Sequence, residues 1–132
     1  MRSNGAPTCC PICRGLWLVR LLPPHHRNFN KRLVKTAKLC FLDAGLAAWL
    51  LGIKDAATLT LNPLRGPLVE TWVLGELCKA RFNRGFPEGL FFWRDSAGHE
   101  VDVIREDGDQ LDAIEVKSGT TLNADFFQGL ER

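Results

Sequence analysis

The chain has 132 residues, of which 45% are hydrophobic and 24% charged, and its formal net charge is +2. That length holds one domain, or a domain with an appendage, and the composition is that of a soluble globular protein, which excludes a disordered chain. A net charge of +2 is too small to argue nucleic-acid binding by itself, so any basic surface must be local.

Residues 1–15, MRSNGAPTCCPICRG, carry no hydrophobic periodicity and read as an irregular tail. Cys9, Cys10 and Cys13 crowd there, while Cys40 and Cys78 lie far off. No secretory signal precedes them, and an odd, unevenly spaced set does not make a disulfide framework, so a cytoplasmic location is expected. Cys10-Pro-Ile-Cys13 invites a zinc reading. A tetrahedral site needs four ligands, though, and no second pair follows at the usual spacing; His25 and His26 are adjacent and seldom ligate one ion together.

Residues 16–53 read as an N-terminal strand and helix segment. Leu16–Leu22 is an expected strand, stopped by Pro23-Pro24. The basic run at Arg27, Lys31, Arg32, Lys35 and Lys38 can touch phosphates, and it equally suits a solvated loop. Lys38–Leu42 is a second expected strand. Asp43 then stands where an N-cap belongs, before the helix-favouring AGLAAWLLG, and Gly52 supplies a C-terminal stop. The most hydrophobic run, Leu39–Ile53, is broken by Asp43 and is shorter than the ~20 residues that span a bilayer, so no membrane partner is expected.

Residues 54–67 form an expected connector, punctuated by Asn-Pro and Gly-Pro. Residues 68–132 then form the expected core. Leu68–Phe82 reads as an amphipathic helix, with Val69, Trp72, Val73, Leu77 and Ala80 at helical spacing and Pro67 in the first turn. Leu90–Arg94 is a short aromatic strand. Glu100–Ile104 and Leu111–Lys117 are two more, joined by a connection containing Asp107-Gly108, a strong turn signal. A further helix is expected near Asn123 or Asp125.

The chemistry concentrates between His99 and Ser118. Alternation along a strand puts Glu100, Asp102 and Ile104 on one face, and Glu115 and Lys117 on one face with Val116 on the other. If the two strands pair, Asp102 and Glu115 converge with the Lys117 ammonium, an arrangement suited to Mg²⁺ and a phosphodiester. Bound there, Mg²⁺ lowers the pKa of a water and offsets charge on the phosphate. Asp102 and Glu115 are the expected metal ligands, Lys117 the expected catalytic lysine, and Glu70 a supporting acid from the preceding helix. A strand-end Glu-x-Lys is also common as a plain surface ion pair, so the combination matters more than any member.

That combination, Glu70, Asp102 and Glu115-Val-Lys117, resembles the PD-(D/E)XK nuclease superfamily, with Val101 where a proline often stands. Closer still is the likeness to one family within it, the C-terminal domain of unknown function carried by many bacterial and archaeal AAA-type ATPases. The segments that carry it are KRLVKTAKLCFLDAGLAAWLLGI, GPLVETWVLGELCKARFNRG, LFFWRDSAGHEVDVI and AIEVKSGTTLNADFF, most of residues 16–132. The resemblance implies an α/β, restriction-endonuclease-like core (a helix, a three-stranded mixed or antiparallel sheet and a helix), with Mg²⁺ as cofactor, and DNA and an ATPase as partners. No G-x-x-x-x-G-K-[ST] occurs, so ATP hydrolysis is not expected of this chain. Because the superfamily's core usually continues with another strand and helix, the core is expected to be incomplete at its C-terminus and the chain a fragment. A non-catalytic DNA- or protein-binding module, or an inactive product, is the alternative.

Overall fold

A computed structural model describes residues 17–25, 36–86 and 89–119. The cysteine-rich tail, most of the basic run after His25 and the expected C-terminal helix lie outside these residues. Among the described residues the fold is mixed α/β, with three helices and two antiparallel sheets of two and three strands. No helix among them is long and apolar enough to cross a membrane.

Strand β1, Val19–Leu22, pairs antiparallel with β2, Lys38–Phe41, so that Leu22 faces Lys38 and Val19 faces Phe41. β1 starts later than its apolar run suggests because Trp17 adopts a φ of 58°, the left-handed region that a strand cannot pass through. Helix α1, Ala44–Leu50, begins as expected, with Leu46 N donating to Asp43 Oδ1 at 3.0 Å. It ends ahead of Gly52, whose φ of 73° is cheap only for glycine. The expected connector carries a short helix of its own, α2, Ala56–Leu61, capped by Asp55 Oδ1, which accepts from Thr58 N at 2.7 Å. The Lys-Asp sequence ahead of Ala56 held that capping signal.

Helix α3, Arg65–Asn83, is the longest element. It starts three residues before the expected Leu68, which leaves Pro67 in the first turn, where its missing N–H is no loss. Its buried face is not the expected stripe. Leu68, Leu74, Gly75 and Cys78 turn inward, whereas Trp72 is 58% exposed and Ala80 is also exposed. The helix is apolar on more than one side, so periodicity alone could not pick the face; its neighbours did.

Those neighbours are the two sheets. β3, Leu90–Arg94, β4, Glu100–Asp107, and β5, Gln110–Ile114, form an antiparallel meander in chain order. The β4–β5 loop is Gly108-Asp109 between paired Asp107 and Gln110, with Gly108 at φ 62°. Glycine at the first central position is the demand of a type II′ hairpin, whose twist matches the strands. At the other edge Pro24 bridges Phe92 in parallel: His25 N donates to Phe92 O at 2.7 Å and Phe92 N donates to Pro23 O at 3.1 Å. This bridge stitches the two sheets side by side. Leu22 and Cys40 from one sheet, Leu90, Phe92 and Val103 from the other, and Leu74 and Cys78 from α3 make a single core cluster. Burial pushes the Cys40 thiol up to about 11 and raises that of Cys78 as well, so both stay protonated hydrophobes.

Packing is tight where α3 crosses the end of β2. A Cβ on Gly75 would sit 2.9 Å from the Leu42 carbonyl oxygen, closer than real Cβ atoms approach a backbone. Alanine is the better helix former by roughly 1 kcal/mol, but overpacking against a backbone that cannot yield costs roughly 1–3 kcal/mol. Gly75→Ala is therefore expected to lower stability in urea unfolding, while Gly85→Ala leaves packing untouched and feels only its φ of 79°. Equal or higher stability for Gly75→Ala would show that α3 and β2 do not meet this closely.

Candidate active site

Two of the acids that the sequence singles out, Glu70 and Asp102, meet in a small cleft between β2, β4 and the first turns of α3. Lys38, Pro67, Glu70, Thr71, Asp102 and Val103 are among its lining residues, and its volume is about 100 Å³. Asp102 is the deepest of the acids, 8% exposed, and among the described residues no other charged or polar side chain is classed as buried. Its position comes from an irregularity in β4. Phe91 pairs with Ile104 and Trp93 with Val101, so Phe92 alone faces both Asp102 and Val103. Such a bulge adds a residue to one strand and redirects its side chains. Strict alternation therefore does not run unbroken from Glu100 to Ile104 as the sequence suggested. Both residues at the bulge are buried, with Val103 in the core cluster and Asp102 lining the cleft.

The Asp102 carboxylate also explains where β5 stops. The ladder ends at Ile114 opposite Val103, not at Lys117 as expected. Two residues further on, Val116 N donates to Asp102 Oδ2 at 2.7 Å, replacing a strand partner with a side-chain acceptor. That bond holds Glu115-Val116-Lys117 against the buried acid. The segment then passes the start of α3, where Ser118 Oγ lies 3.8 Å from the Cβ position of Gly66.

Glu115 and Lys117 extend to the same side, and the Lys117 ammonium hydrogen-bonds Glu115 Oε1. The Glu115 side chain is only 10% exposed, and its second oxygen, Oε2, is buried without a hydrogen-bond partner among the described residues. A buried, unsatisfied carboxylate oxygen is costly and calls for an explanation such as an ion or water. Glu70 joins from α3, with its Oε2 accepting from Lys38 Nζ at 2.9 Å. Lys38 Nζ also reaches Glu100 Oε1 at 3.1 Å, and Arg94 Nε lies 3.8 Å from Glu100 Oε2 at the rim.

Electrostatics follow from this crowding. Burial raises the Asp102 carboxyl above the usual aspartate range; the Val116 N–H counters it and the Glu70 charge adds to it. For Lys38, burial favours the neutral amine, but the hydrogen bonds and charges of Glu70 and Glu100 outweigh burial and hold it as an ammonium, above the ordinary lysine value. The Glu115 hydrogen bond likewise raises Lys117, with Asp102 and Glu70 contributing through charge. Two ammoniums and the Arg94 guanidinium among four carboxylates leave the cluster formally one charge negative.

The donor set suits a hard cation. Among the described residues no three His, Cys, Asp or Glu side chains are grouped so as to hold an ion by themselves. Mg²⁺, however, is usually bound by one or two carboxylates with waters and phosphate oxygens completing the octahedron. Asp102 and Glu115, whose Oε2 has no hydrogen-bond partner among the described residues, are the pair that would fit that pattern. Sequence reasoning placed Lys38 only in a basic run able to touch phosphates and Glu100 only on the strand face of Asp102, and paired neither with Glu70. The available signal was Lys38 sharing strand parity with Cys40, which places a lysine on the core-facing side of β2.

Asp102 carries a stability cost with a definite pH sign. Its folded pKa is raised, so between the unfolded value of about 4 and the folded one the native state binds more protons, and stability falls as pH rises. Asp102→Asn removes the charge in a side chain of the same shape. It is expected to raise the melting temperature at pH 7, with the gain shrinking as pH falls through the raised folded value and gone below about 4. A variant less stable than the parent at pH 7 would contradict this.

Comparison with known proteins adds a family without a function. Residues 65–132 match the family described as "Domain of unknown function (DUF4143)", and residues 11–57 match a second, "Domain of unknown function (DUF8612)". Over 104 residues the chain is 33% identical to an uncharacterised protein of Mycobacterium tuberculosis and, equally, to one of Mycobacterium bovis. The matched stretch is 79% of this chain and 23% of either relative. No solved structure matches. With its α3, meander and acid cluster all inside the first match, which covers just over half its length, the chain belongs to the DUF4143 family.

Proposed function

We propose that the chain is a nuclease-like domain of the PD-(D/E)XK type that hydrolyses DNA phosphodiester bonds with Mg²⁺. The observation that carries this reading is the Val116 N–H on Asp102 Oδ2, which joins the buried acid of β4 to the Glu115-Val116-Lys117 segment. Asp102 and Glu115 would hold the ion. Once bound, Mg²⁺ supplies a more acidic water and offsets negative charge on the scissile phosphate. Lys117, oriented by Glu115, presents its ammonium to a phosphate oxygen or the attacking water. Glu70 adds an acid from α3 and is itself fixed by Lys38. Water oxygen bonds to phosphorus, the P–O bond to the leaving sugar breaks, and the leaving oxygen takes up a proton.

The partner follows from the same resemblance. The mycobacterial relatives are several times longer than the stretch they share with this chain, in keeping with a domain that works beside another module. An AAA-type ATPase is the module the resemblance implies. A second reading, a non-catalytic module that contacts DNA or protein, draws on apolar side chains left at the surface, among them Trp49 (75% exposed) and Leu61 (86% exposed).

The test is cleavage of single-stranded, duplex and branched DNA in Mg²⁺ or Mn²⁺. Activity is expected to vanish in EDTA and to drop roughly 100-fold or more in Asp102→Ala and Lys117→Ala, the scale of losing one electrostatic stabiliser. Equal cleavage by the parent and both variants would remove the nuclease assignment. DNA affinity that persists without metal and weakens with salt, in a chain that never cleaves, would establish the binding module instead.

A further inference from the structure

Lys38 is the cleft residue that neither the metal ligands nor the catalytic lysine accounts for. It opens β2, far in sequence from the motif, and its ammonium sits between Glu70 Oε2 at 2.9 Å and Glu100 Oε1 at 3.1 Å. It lines the same cleft as Glu70 and Asp102. Glu70 is therefore not a free acid waiting at the edge of the site, because a tethered cation already occupies it.

A surface ion pair would need no comment, since such pairs contribute little and rearrange freely. This one differs in two ways. It is two-handed, clamping α3 to β4 through one nitrogen, and its positive charge lies in the cleft where a divalent ion would arrive. Glu115 Oε2 is buried and without a partner among the described residues, so the cluster retains demand for positive charge at its other end. Like charges in one small cleft oppose each other, and the opposition depends on charge alone rather than on shape.

We propose that Lys38 is the built-in counter-cation of this site: it positions Glu70 and Glu100 across the cleft and its charge limits how tightly Asp102 and Glu115 bind a divalent cation. This rests on the metal-binding reading given above. The consequence is a site that stays folded without its ion, since Lys38 neutralises part of the acid cluster, and that gives up the ion readily.

The measurement is Mn²⁺ affinity of the 132-residue chain, followed by electron paramagnetic resonance of the free ion, for parent, Lys38→Met, Lys38→Gln, Lys38→Arg and Asp102→Ala. Methionine keeps the length of the side chain without its charge, glutamine keeps hydrogen bonding to both carboxylates without charge, and arginine keeps the charge. Lys38→Met and Lys38→Gln are expected to bind Mn²⁺ more tightly by roughly three- to tenfold, the effect of deleting one positive charge from a solvent-open cleft. Lys38→Arg should match the parent, and Asp102→Ala should lose the tight phase. If Lys38→Met fails to fold, Lys38→Gln carries the same expectation.

Unchanged or weaker Mn²⁺ affinity in the neutral variants, with binding still lost in Asp102→Ala, would overturn the role of Lys38 and leave the metal site standing. A purely structural clamp gives that result together with a lower melting temperature. Mn²⁺ binding that is indifferent to Asp102 in every variant would overturn the metal site, and this proposal with it.

Discussion

One carboxylate inside a sheet shapes the centre of this protein. Asp102 is buried beside the core residue Val103, and a charged acid so placed must be given partners or take up a proton. The chain answers with a backbone N–H from residue 116 and, across the cleft, with lysines on β2 and after β5. Each answer has a structural side. Accepting from Val116 ends the β5 ladder, the bulge in β4 makes room for two buried residues opposite Phe92, and Lys38 draws α3 and β4 together. A leucine at position 102 would need none of this. An acid retained at such cost is the pattern of a site in which stability yields to chemistry.

The family match leaves that chemistry open, because a domain of unknown function names a lineage and not a reaction, and a fold is compatible with many activities. The argument has to come from the site. Hard oxygens from Asp102 and Glu115 and an ammonium on Lys117 are what the proposed handling of a cation and a phosphate would draw on. They are of little use as a scaffold. Buried polar groups that are only partly satisfied are worse for stability than an apolar core, which makes their concentration in one cleft informative.

Local signals in the sequence were legible, and long-range ones were not. Asp43 as a cap, Gly52 as a stop, Leu90–Arg94 as a strand and a turn at Asp107-Gly108 all depend on neighbours a few residues away, and the structure agrees. Where sequence reading missed, a partner from elsewhere decided. The buried side of α3 was chosen by the Leu42 carbonyl and the two sheets rather than by periodicity, because Val69, Trp72 and Val73 make a second apolar side. The end of β5 was set by Asp102. Lys38 looked like one more member of a basic run because its two acids lie 32 and 62 residues away. Asp102, Glu115 and Lys117 could be named from spacing; the cation between Glu70 and Glu100 could not.

The bridge between Pro24 and Phe92 has a consequence for how the chain assembles. The β3–β4–β5 meander closes through tight turns, whereas Pro24, just after β1, must find Phe92 across 68 positions of the chain. Loop-closure entropy grows with separation, and contacts between distant segments cost the most to form before they reward anything. Folding order is thereby biased: the meander forms early, and Pro23–His25 docks late, after α3 is seated. The cleft has walls from both parts, Lys38 and Leu22 from the first and Asp102 from the second. A site of this kind exists only once the last contact is made, so transient opening of β1 would switch it off without unfolding the meander, an event that hydrogen exchange at the Phe92 amide would report separately from global unfolding.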